Sequence, residues 1–330
     1  MASPLFTANA PAGTPLNIDA ARYLATESIR RVKPEWRIIV AERAFRPRPE
    51  NPQADWLPTV VAPALKLIAE DHAPVRAFAS IGTGAGVDIL AGIELLGASV
   101  VGATDIFPDI TDAADWNIRQ NLSPDHPVDV HVAPGDLLSP LAGRGLRFDV
   151  IYENLPNIPL SDAGSLEEKR KSSSFVPPRA ERVPPFADHW MLALHYVALA
   201  QALDFLNPGG FVISTLGGRI PLDILQRLAL EAGLKPSFLN YSWKAQAEGE
   251  DVLPSYTDLE ARGFGPFHYY PVDVLEKVFD GVSPRESGLR AFEIERELQP
   301  HRVTAAQAWQ DYQQGHRVGH TVAVLKSSRG

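Results

Sequence analysis

The sequence predicts an α/β fold built on a mostly parallel sheet of seven strands, in which the first six are parallel and the last is antiparallel. Short apolar segments typical of buried strands alternate with longer segments of helical periodicity. A glycine-rich turn follows the first core strand, and an acidic residue ends the second. The 330 residues, 45% of them hydrophobic, are enough for a full core with added segments.

The predicted core strands occur in the order that such a sheet requires. They are AFASI (77–81), SVVGATD (99–105), DVHVAPGD (129–136), FDVIYENL (148–155), GGFVISTLGG (209–218), KPSFLNYSWKA (235–245) and HTVAVLKSS (320–328). Helical patterns separate most of them, which favours parallel connections. The minimal fold is therefore assigned to residues 73–330.

Three regions fall outside this pattern. Residues 1–72 contain two segments with helical spacing, IDAARYLATESIRRV and DWLPTVVAPALKLIAE, and are predicted to form a helical extension. Residues 158–186 are polar, contain proline and are too long for an ordinary connection, which indicates a lid. Residues 246–315 include the helical pattern TAAQAWQDYQQG and have no role in a minimal sheet, so we assign them to the substrate side.

Composition excludes several functional classes. The net charge of −9 argues against a nucleic-acid surface, which needs clustered Lys and Arg. The absence of cysteine excludes disulfides and thiolate chemistry and fits a cytoplasmic location. No apolar run approaches twenty residues, so no membrane association is expected. Histidines and carboxylates lack the spacing of metal ligands, and we predict no metal. A homo-oligomer is left open.

The turn after the first strand is suited to a ligand held against bare backbone. Gly82, Gly84 and Gly86 allow the chain to turn without Cβ clashes, and Val87 stands where a dinucleotide site has its third glycine. Asp105 ends the next strand, where a carboxylate can accept both ribose hydroxyls. This order of parts resembles the S-adenosyl-L-methionine site of class I methyltransferases.

The resemblance implies a set of cofactor-binding residues at the strand ends. One of them, Ser80, departs from the family pattern, which has Asp or Glu at that position to help place the methionine end of the cofactor. Asp136 could accept a hydrogen bond from the adenine amino group, or it could cap the segment LLSPLAG. The set comprises Ser80, Gly82, Thr83, Gly84, Gly86, Asp105, Ile106, Gly135, Asp136 and Asn154.

The end of the fourth strand resembles the N-P-P-Y loop of amino-methyltransferases. Asn154, Pro156 and the following Ile-Pro pair match that loop, in which the Asn holds the nitrogen that is methylated. Leu155 and Asn157 depart from it, and the loss of the aromatic residue removes the platform for a planar amide or base. A glutamine or adenine acceptor is therefore disfavoured.

Further segments bring a more specific resemblance. FLNPGGFVISTLGGRIPLDILQRLALEAGL, LPSYTDLEARGFGPFHYY and AWQDYQQGHRVGHTVAVL are similar to the methyltransferase region of methionine S-methyltransferases. The chain resembles the compact bacterial type associated with dimethylsulfoniopropionate synthesis. The resemblance implies methyl transfer from S-adenosyl-L-methionine to the sulfur of L-methionine, giving S-methyl-L-methionine and S-adenosyl-L-homocysteine.

A thioether has no proton to lose, so this reaction needs orientation of the acceptor and no general base. Arg219 is the candidate for the methionine carboxylate, with a surface salt bridge as its alternative role. Asn154, Pro156 and Arg219 are the candidate catalytic residues. The candidate substrate-binding residues supply aromatic walls or polar partners, and for each aromatic residue core packing is the alternative: Tyr152, Glu153, Asn157, Trp190, Tyr256, Asp258, Tyr269, Arg317 and His320.

Two other functions stay open. The Asn154 segment favours N- or O-methylation of a small metabolite or a protein side chain. A protein that binds the cofactor without catalysis would show the same glycine turn and acidic strand end.

Overall fold

The structure, a computed structural model, describes residues 10–71, 74–157, 180–247 and 249–330. The described chain divides into two compact units. The first comprises residues 10–153 and Asp204–Gly210, and the second comprises 154–157, 180–203 and Phe211–Gly330.

The first unit contains a small hairpin followed by alternating strands and helices. Its elements are β1 (Thr14–Asp19), α1 (Ala20–Leu24), β2 (Glu35–Val40), α2 (Ala62–Asp71), β3 (Ala77–Ile81), α3 (Val87–Leu96), β4 (Val100–Asp105), α4 (Pro108–Gln120), β5 (Asp129–Pro134) and β6 (Phe148–Glu153). A π-helical turn, Leu57–Val61, precedes α2, and short 3₁₀ turns occupy Pro52–Ala54 and Ser139–Leu141.

Four parallel strands form the core of the first unit. β3 pairs with β4 on one side and β6 on the other, and β4 pairs with β5. All five residues of β3 are buried, and α3 packs so closely on this strand that a Cβ at Gly92 would lie 2.5 Å from the Phe78 ring. Because parallel strands end at the same sheet edge, the ends of β3, β4, β5 and β6 meet there.

The N-terminal region contains less helix than the sequence predicted. β1 and β2 form an antiparallel pair, and the predicted helix from Ile18 to Val32 is wrong beyond its first turn, because Ala25 is left-handed (φ 49°) and ends α1. The buried carboxylate of Glu94 on α3 accepts the backbone N–H groups of Arg30, Arg31 and Val32. Those amides are satisfied without a helix. The second predicted helix is confirmed in its later part by α2.

The second unit begins with two short helices and ends with a long strand. Its elements are α5 (Pro185–His189), α6 (Ala193–Ala202), β7 (Leu206–Gly218, which starts in the first unit), α7 (Leu222–Glu231), β8 (Lys235–Ala245), α8 (Gly249–Ala261), β9 (Tyr270–Pro271), α9 (Val272–Val278), α10 (Pro284–Leu289), α11 (Ala291–Leu298), a 3₁₀ turn (Gln299–His301), α12 (Ala305–Gln313) and β10 (Val318–Ser328).

The sheet confirms the predicted α/β fold. Its strand order is β5-β4-β3-β6-β7-β10-β8, with β9 beside β10. β10 runs antiparallel to both β7 and β8, as expected for the last strand. The chain proceeds from β3 toward β5 on one side and from β6 toward β7 on the other. The order therefore reverses at β3, where ligands of open α/β sheets bind at the carboxyl ends of the strands.

The added segments follow the predictions in part. Residues 246–315 contain α8 to α12, and α12 begins with a capping box formed by Thr304 and Gln307. The segment between Asp188 and Leu206 has helical spacing but is not one helix, since Met191 is left-handed (φ 58°) and separates α5 from α6. Most of the predicted lid, 158–179, lies outside the described residues. Within the described residues, no helix combines the length and apolar character needed to cross a bilayer.

Candidate functional site

The glycine turn exposes backbone at the carboxyl end of β3. Gly82, Gly84 and Gly86 have left-handed φ values of 69°, 53° and 76°, which only glycine adopts easily. Gly82 and Thr83 donate their N–H groups to the Thr104 carbonyl at 2.8 and 3.0 Å, so the turn is fixed to the end of β4. A Cβ at Gly84 would meet no atom within 4 Å. Gly84 therefore presents backbone to open space.

Asp105 lies directly beside this turn. Its side chain is buried, one carboxylate oxygen accepts the Gly84 N–H at 3.2 Å, and the other accepts the Phe107 N–H at 3.3 Å. Burial raises the pKa of Asp105 to about 6. Both bonds are long for a carboxylate, which leaves this acceptor with capacity for stronger donors.

Three further predicted cofactor residues, Ile106, Gly135 and Asp136, lie at the same edge of the first unit, whereas Asn154 belongs to the second unit. Gly135 donates its N–H to the Asp105 carbonyl at 2.9 Å, which ties the end of β5 to β4. Ile106 and Asp136 are half-buried at these two strand ends. Leu138, not Asp136, is the N-cap residue of the turn Ser139–Leu141. Glu153 is fully buried at the end of β6, opposite Ile81.

Asp88 belongs to this site and was missed by the sequence analysis. It lies in the first turn of α3 and accepts the hydroxyl hydrogens of Ser80 and of Thr83, the latter at 2.8 Å. Its side chain is only 6% exposed, and burial raises its pKa to about 6. Ser80, which stands where the family pattern has an acid, is thus bonded to an acid eight residues later. An Asp in an apolar helix was the available signal.

Asn117 on α4 was also missed. Its side-chain amide donates to the Ala85 carbonyl in the glycine turn at 3.0 Å and to the Ile39 carbonyl at 2.8 Å, while its oxygen accepts the Ile39 N–H at 2.7 Å. This fully buried residue joins the glycine turn to β2. The helical pattern around it contained no signal for this role.

The geometry of the first unit fits S-adenosyl-L-methionine. The open backbone at Gly84 admits a ligand, the buried Asp105 carboxylate is an acceptor for ribose hydroxyls, and the Ser80–Asp88 pair supplies further acceptors. Across the described ranges, no group of three or more His, Cys, Asp or Glu is arranged to hold a metal ion.

A second cluster, the Arg219 cluster, lies within the second unit. Arg219 follows β7, is 4% exposed, and donates from Nη2 to the Gln246 side-chain oxygen at 2.8 Å. Its guanidinium carbon lies 5.1 Å from the ring centre of Tyr256 and 5.7 Å from that of Tyr269. In the part of the chain that the structure describes, Arg219 forms no salt bridge, and its Nε has no hydrogen-bond partner.

Aromatic rings extend this cluster. Phe267 contacts Tyr256 edge to face at 4.6 Å between ring centres, and Trp190 contacts Phe267 at 5.9 Å. The Tyr256 hydroxyl donates to the Asn157 carbonyl at 3.1 Å. The structure therefore brings five predicted substrate residues into one cluster with Arg219: Asn157, Trp190, Tyr256, Tyr269 and His320. Gln246 was not predicted, and its position just after β8 was its one signal.

His320 lies beside Arg219 in the interior of the second unit. Arg219 Nη1 and His320 Cε1 lie 2.8 and 3.9 Å from the Cβ position at Gly217. The His320 Nδ1 is 2.8 Å from the Thr321 carbonyl, which fixes the hydrogen on that nitrogen. Burial, with Arg219 and Lys244 nearby, holds the pKa of His320 well below its usual range. The imidazole is therefore neutral at physiological pH.

Two predicted substrate residues lie elsewhere. The Asp258 side chain is 63% exposed and lies 3.6 Å from Arg262, and the Arg317 side chain is 66% exposed and pairs with Glu276 at 3.0 Å. Surface ion pairs of this kind occupy both charges, and neither residue joins the Arg219 cluster. Asn154 is exposed and Pro156 half-buried, while Tyr152 is buried in β6 opposite Ser80.

No protein-family model matches the sequence, and no curated protein matches it significantly. Among solved structures, the chain is similar to the ribosomal protein L11 methylase of Lactobacillus delbrueckii subsp. bulgaricus (20% identity over 58% of this chain and 72% of that one, TM-score 0.37). It is also similar to a methyltransferase from Pyrococcus furiosus (18%, 64% and 81%, TM-score 0.38). A third similar structure is the YcgJ protein of Bacillus subtilis (12%, 81% and 97%, TM-score 0.42). These likenesses are weak in sequence and superposition, and neither reaction nor substrate follows from them.

Proposed function

We propose that the protein is an S-adenosyl-L-methionine-dependent methyltransferase whose acceptor is the thioether sulfur of L-methionine. The bound donor supplies a methyl group on a sulfonium, which is transferred in line to the acceptor sulfur. The residues of the first unit hold the donor: Asp105 accepts the ribose hydroxyls, and the bare backbone at Gly84 allows close approach. The Arg219 cluster of the second unit holds the acceptor.

The observation that carries the acceptor assignment is the buried charge of Arg219. A guanidinium taken out of water costs free energy unless an anion compensates it, and no described carboxylate does so. Its Nε is free to donate. A planar carboxylate, held by two parallel hydrogen bonds, is the ligand that suits such a group best. The carboxylate of a free amino acid meets this requirement.

The titratable groups of the cluster favour an acceptor with no proton to lose. Burial raises the pKa of Tyr256, so its hydroxyl stays protonated at neutral pH. The lowered pKa of His320 makes its imidazole a weak base. Methylation of a thioether needs neither group as a base.

The experiment that tests this function is product identification. The purified protein is incubated with S-adenosyl-L-methionine and L-methionine, and the products are analysed by mass spectrometry. We expect S-methyl-L-methionine and S-adenosyl-L-homocysteine in equal amounts, and much less of both with Asp105→Ala at the same donor concentration. Donor binding without methylated methionine would contradict the proposed reaction.

The alternative is N- or O-methylation of a small metabolite or a protein side chain, which the partial likeness of the segment 154–159 to the amino-methyltransferase loop favours. An amine acceptor must be deprotonated, so its rate rises up to about tenfold per pH unit below the pKa of the amine. A thioether has no such ionisation, and the rate at saturating donor is expected to be flat above pH 7. A cofactor-binding protein without catalysis would give no product with either acceptor class.

The other sequence-based expectations stay part of this proposal. They are a domain boundary after residue 72, a cytoplasmic location, and the absence of nucleic-acid and metal partners.

A further inference from the structure

We propose that Asp88, acting through Ser80 and Thr83, selects a donor that carries an ammonium group at its amino-acid end. This inference rests on the proposed function and deepens it. Asp88 touches no reacting atom, so it is a positioning residue. The chemical group it recognises is a primary ammonium, and a carboxylate or phosphate at the same place is disfavoured.

The hydroxyl groups beside Asp88 can only accept hydrogen bonds from a ligand. A hydroxyl has one hydrogen to donate and two lone pairs that accept, and an ionised carboxylate only accepts. Ser80 and Thr83 both donate their hydroxyl hydrogens to Asp88. Each hydroxyl oxygen is then left with accepting capacity alone. A ligand at this strand end must therefore donate hydrogens, as an ammonium does.

The charge of Asp88 points the same way. Asp88 is only 6% exposed, and in the described ranges no Lys or Arg forms an ion pair with it. Besides the two hydroxyls it accepts the Ile89 N–H at 2.9 Å. These neutral donors offset the burial of the charge only in part. A cationic ligand group near the two hydroxyl oxygens would complete the compensation.

The position of Ser80 explains how the site works without an acid on the strand. Ser80 lies opposite Ala103 of β4 and Tyr152 of β6, one residue before the end of β3. Here the carboxylate comes from the first turn of α3 and reaches the strand through the Ser80 hydroxyl. The negative charge is thus supplied from the helix.

The test compares two ligands in two proteins. The ligands are S-adenosyl-L-homocysteine and its deaminated analogue, which keeps the adenosine, thioether and carboxylate but lacks the amine. Their dissociation constants are measured by titration calorimetry for the wild type and Asp88→Asn. We expect the wild type to bind the amine-containing ligand roughly tenfold to a hundredfold more tightly, as for a hydrogen bond to a charged group. In Asp88→Asn this ratio should fall to within about threefold of one.

Control variants distinguish loss of ammonium recognition from loss of folding and from a general loss of donor binding. Asp109→Asn removes an acid that is paired with Arg43 at the surface, and it should leave the ratio unchanged. Ser80→Ala keeps Asp88 and should partly lower the ratio of the two dissociation constants. This variant tests the inference even if Asp88→Asn does not fold. An unchanged ratio in both site variants, or an equal loss for both ligands, would overturn the inference. No binding of either ligand to the wild type would instead contradict the proposed donor.

Discussion

The two units bury charges of opposite sign and support them differently. In the first unit, the carboxylates of Asp88 and Asp105 accept from hydroxyls and backbone N–H groups. In the second, the guanidinium of Arg219 lies against the faces of Tyr256 and Tyr269. The first site is thus suited to ligand groups that donate hydrogens, and the second to an anion. Under the proposed function, the ribose and ammonium would bind in the first unit and the acceptor carboxylate in the second.

Loss of the Asp105 carboxylate should have the largest effect of the changes considered, on the affinity of the first unit for the donor. Asp105→Ala removes the acceptor for two ribose hydroxyls, each worth about 1.5–3 kcal/mol when the acceptor is charged. We expect the dissociation constant for S-adenosyl-L-homocysteine to rise roughly a hundredfold or more, measured by calorimetry. Asp115→Asn, which breaks the pair with Arg119 on α4, is the matched control and should bind normally. Unchanged affinity in Asp105→Ala would remove the ribose role.

Arg219→Ala should weaken the binding of L-methionine but not the binding of the methyl donor. Loss of a charged hydrogen-bonded contact is expected to raise the KM for L-methionine roughly tenfold to a hundredfold while leaving donor affinity within about threefold of the wild type. Arg317→Ala is the matched control, since Arg317 pairs with Glu276 at the surface. If donor affinity falls as much as methionine affinity, Arg219 acts on the fold and not on the acceptor.

The raised pKa of Asp105 predicts opposite effects of pH on binding and stability. The ionised carboxylate binds ribose hydroxyls, so donor affinity should fall roughly tenfold as the pH drops from 7 to 5, through the pKa of about 6. The folded carboxyl holds a proton that the unfolded chain releases near its ordinary value of 3.8. Asp105 therefore lowers the free energy of unfolding as pH rises from about 4 to about 6.

Calorimetry and chemical denaturation across this pH range check both effects. Asp105→Asn should lose the Asp105 part of each dependence, and above pH 6 its ligand-free form should be more stable than the wild type. A donor affinity that stays constant from pH 7 to 5 in the wild type would contradict the assignment.

Two matched glycines test the open backbone with the smallest expected effect. Gly84 and Gly209 both have left-handed φ values (53° and 77°), and an added Cβ meets nothing within 4 Å at either. Alanine at either site should lower the free energy of unfolding by about 1 kcal/mol. Only Gly84→Ala should weaken donor binding, by roughly threefold to tenfold, because its methyl group would enter the ligand space. Equal donor affinity in the two variants would contradict close approach at Gly84.

The sequence predicted the first site better than the second for a physical reason. Its central parts, the glycine turn and Asp105, lie on adjacent strands and within a short stretch, so local pattern fixed their positions. Asp88 was not predicted because one acid in an apolar helix does not alter the helical periodicity of the sequence. The core strands were predicted correctly because a buried parallel strand is a continuous apolar run.

The second site depends on contacts between distant segments. Arg219 follows β7, Gln246 follows β8, Tyr256 lies on α8 and Tyr269 precedes β9. Only packing brings these four side chains together. Asp258 and Arg317 were misplaced for another reason, since their charges are occupied by surface ion pairs with Arg262 and Glu276. The N-terminal helix prediction was wrong because Ala25 is left-handed and ends α1, and because Glu94 binds the backbone N–H of Arg31 in place of a helical carbonyl. Helical spacing in the sequence encodes neither effect.

The most direct test of the account is a comparison of two acceptors that differ only in the carboxylate. L-methionine and 3-(methylthio)propylamine share the thioether and the ammonium, and kcat/KM is measured for both with the wild type and Arg219→Ala. We predict that the wild type prefers L-methionine by roughly a hundredfold and that this preference nearly disappears in Arg219→Ala. A wild type that methylates both equally, or a preference that survives in Arg219→Ala, would contradict the claim that the buried guanidinium recognises the acceptor.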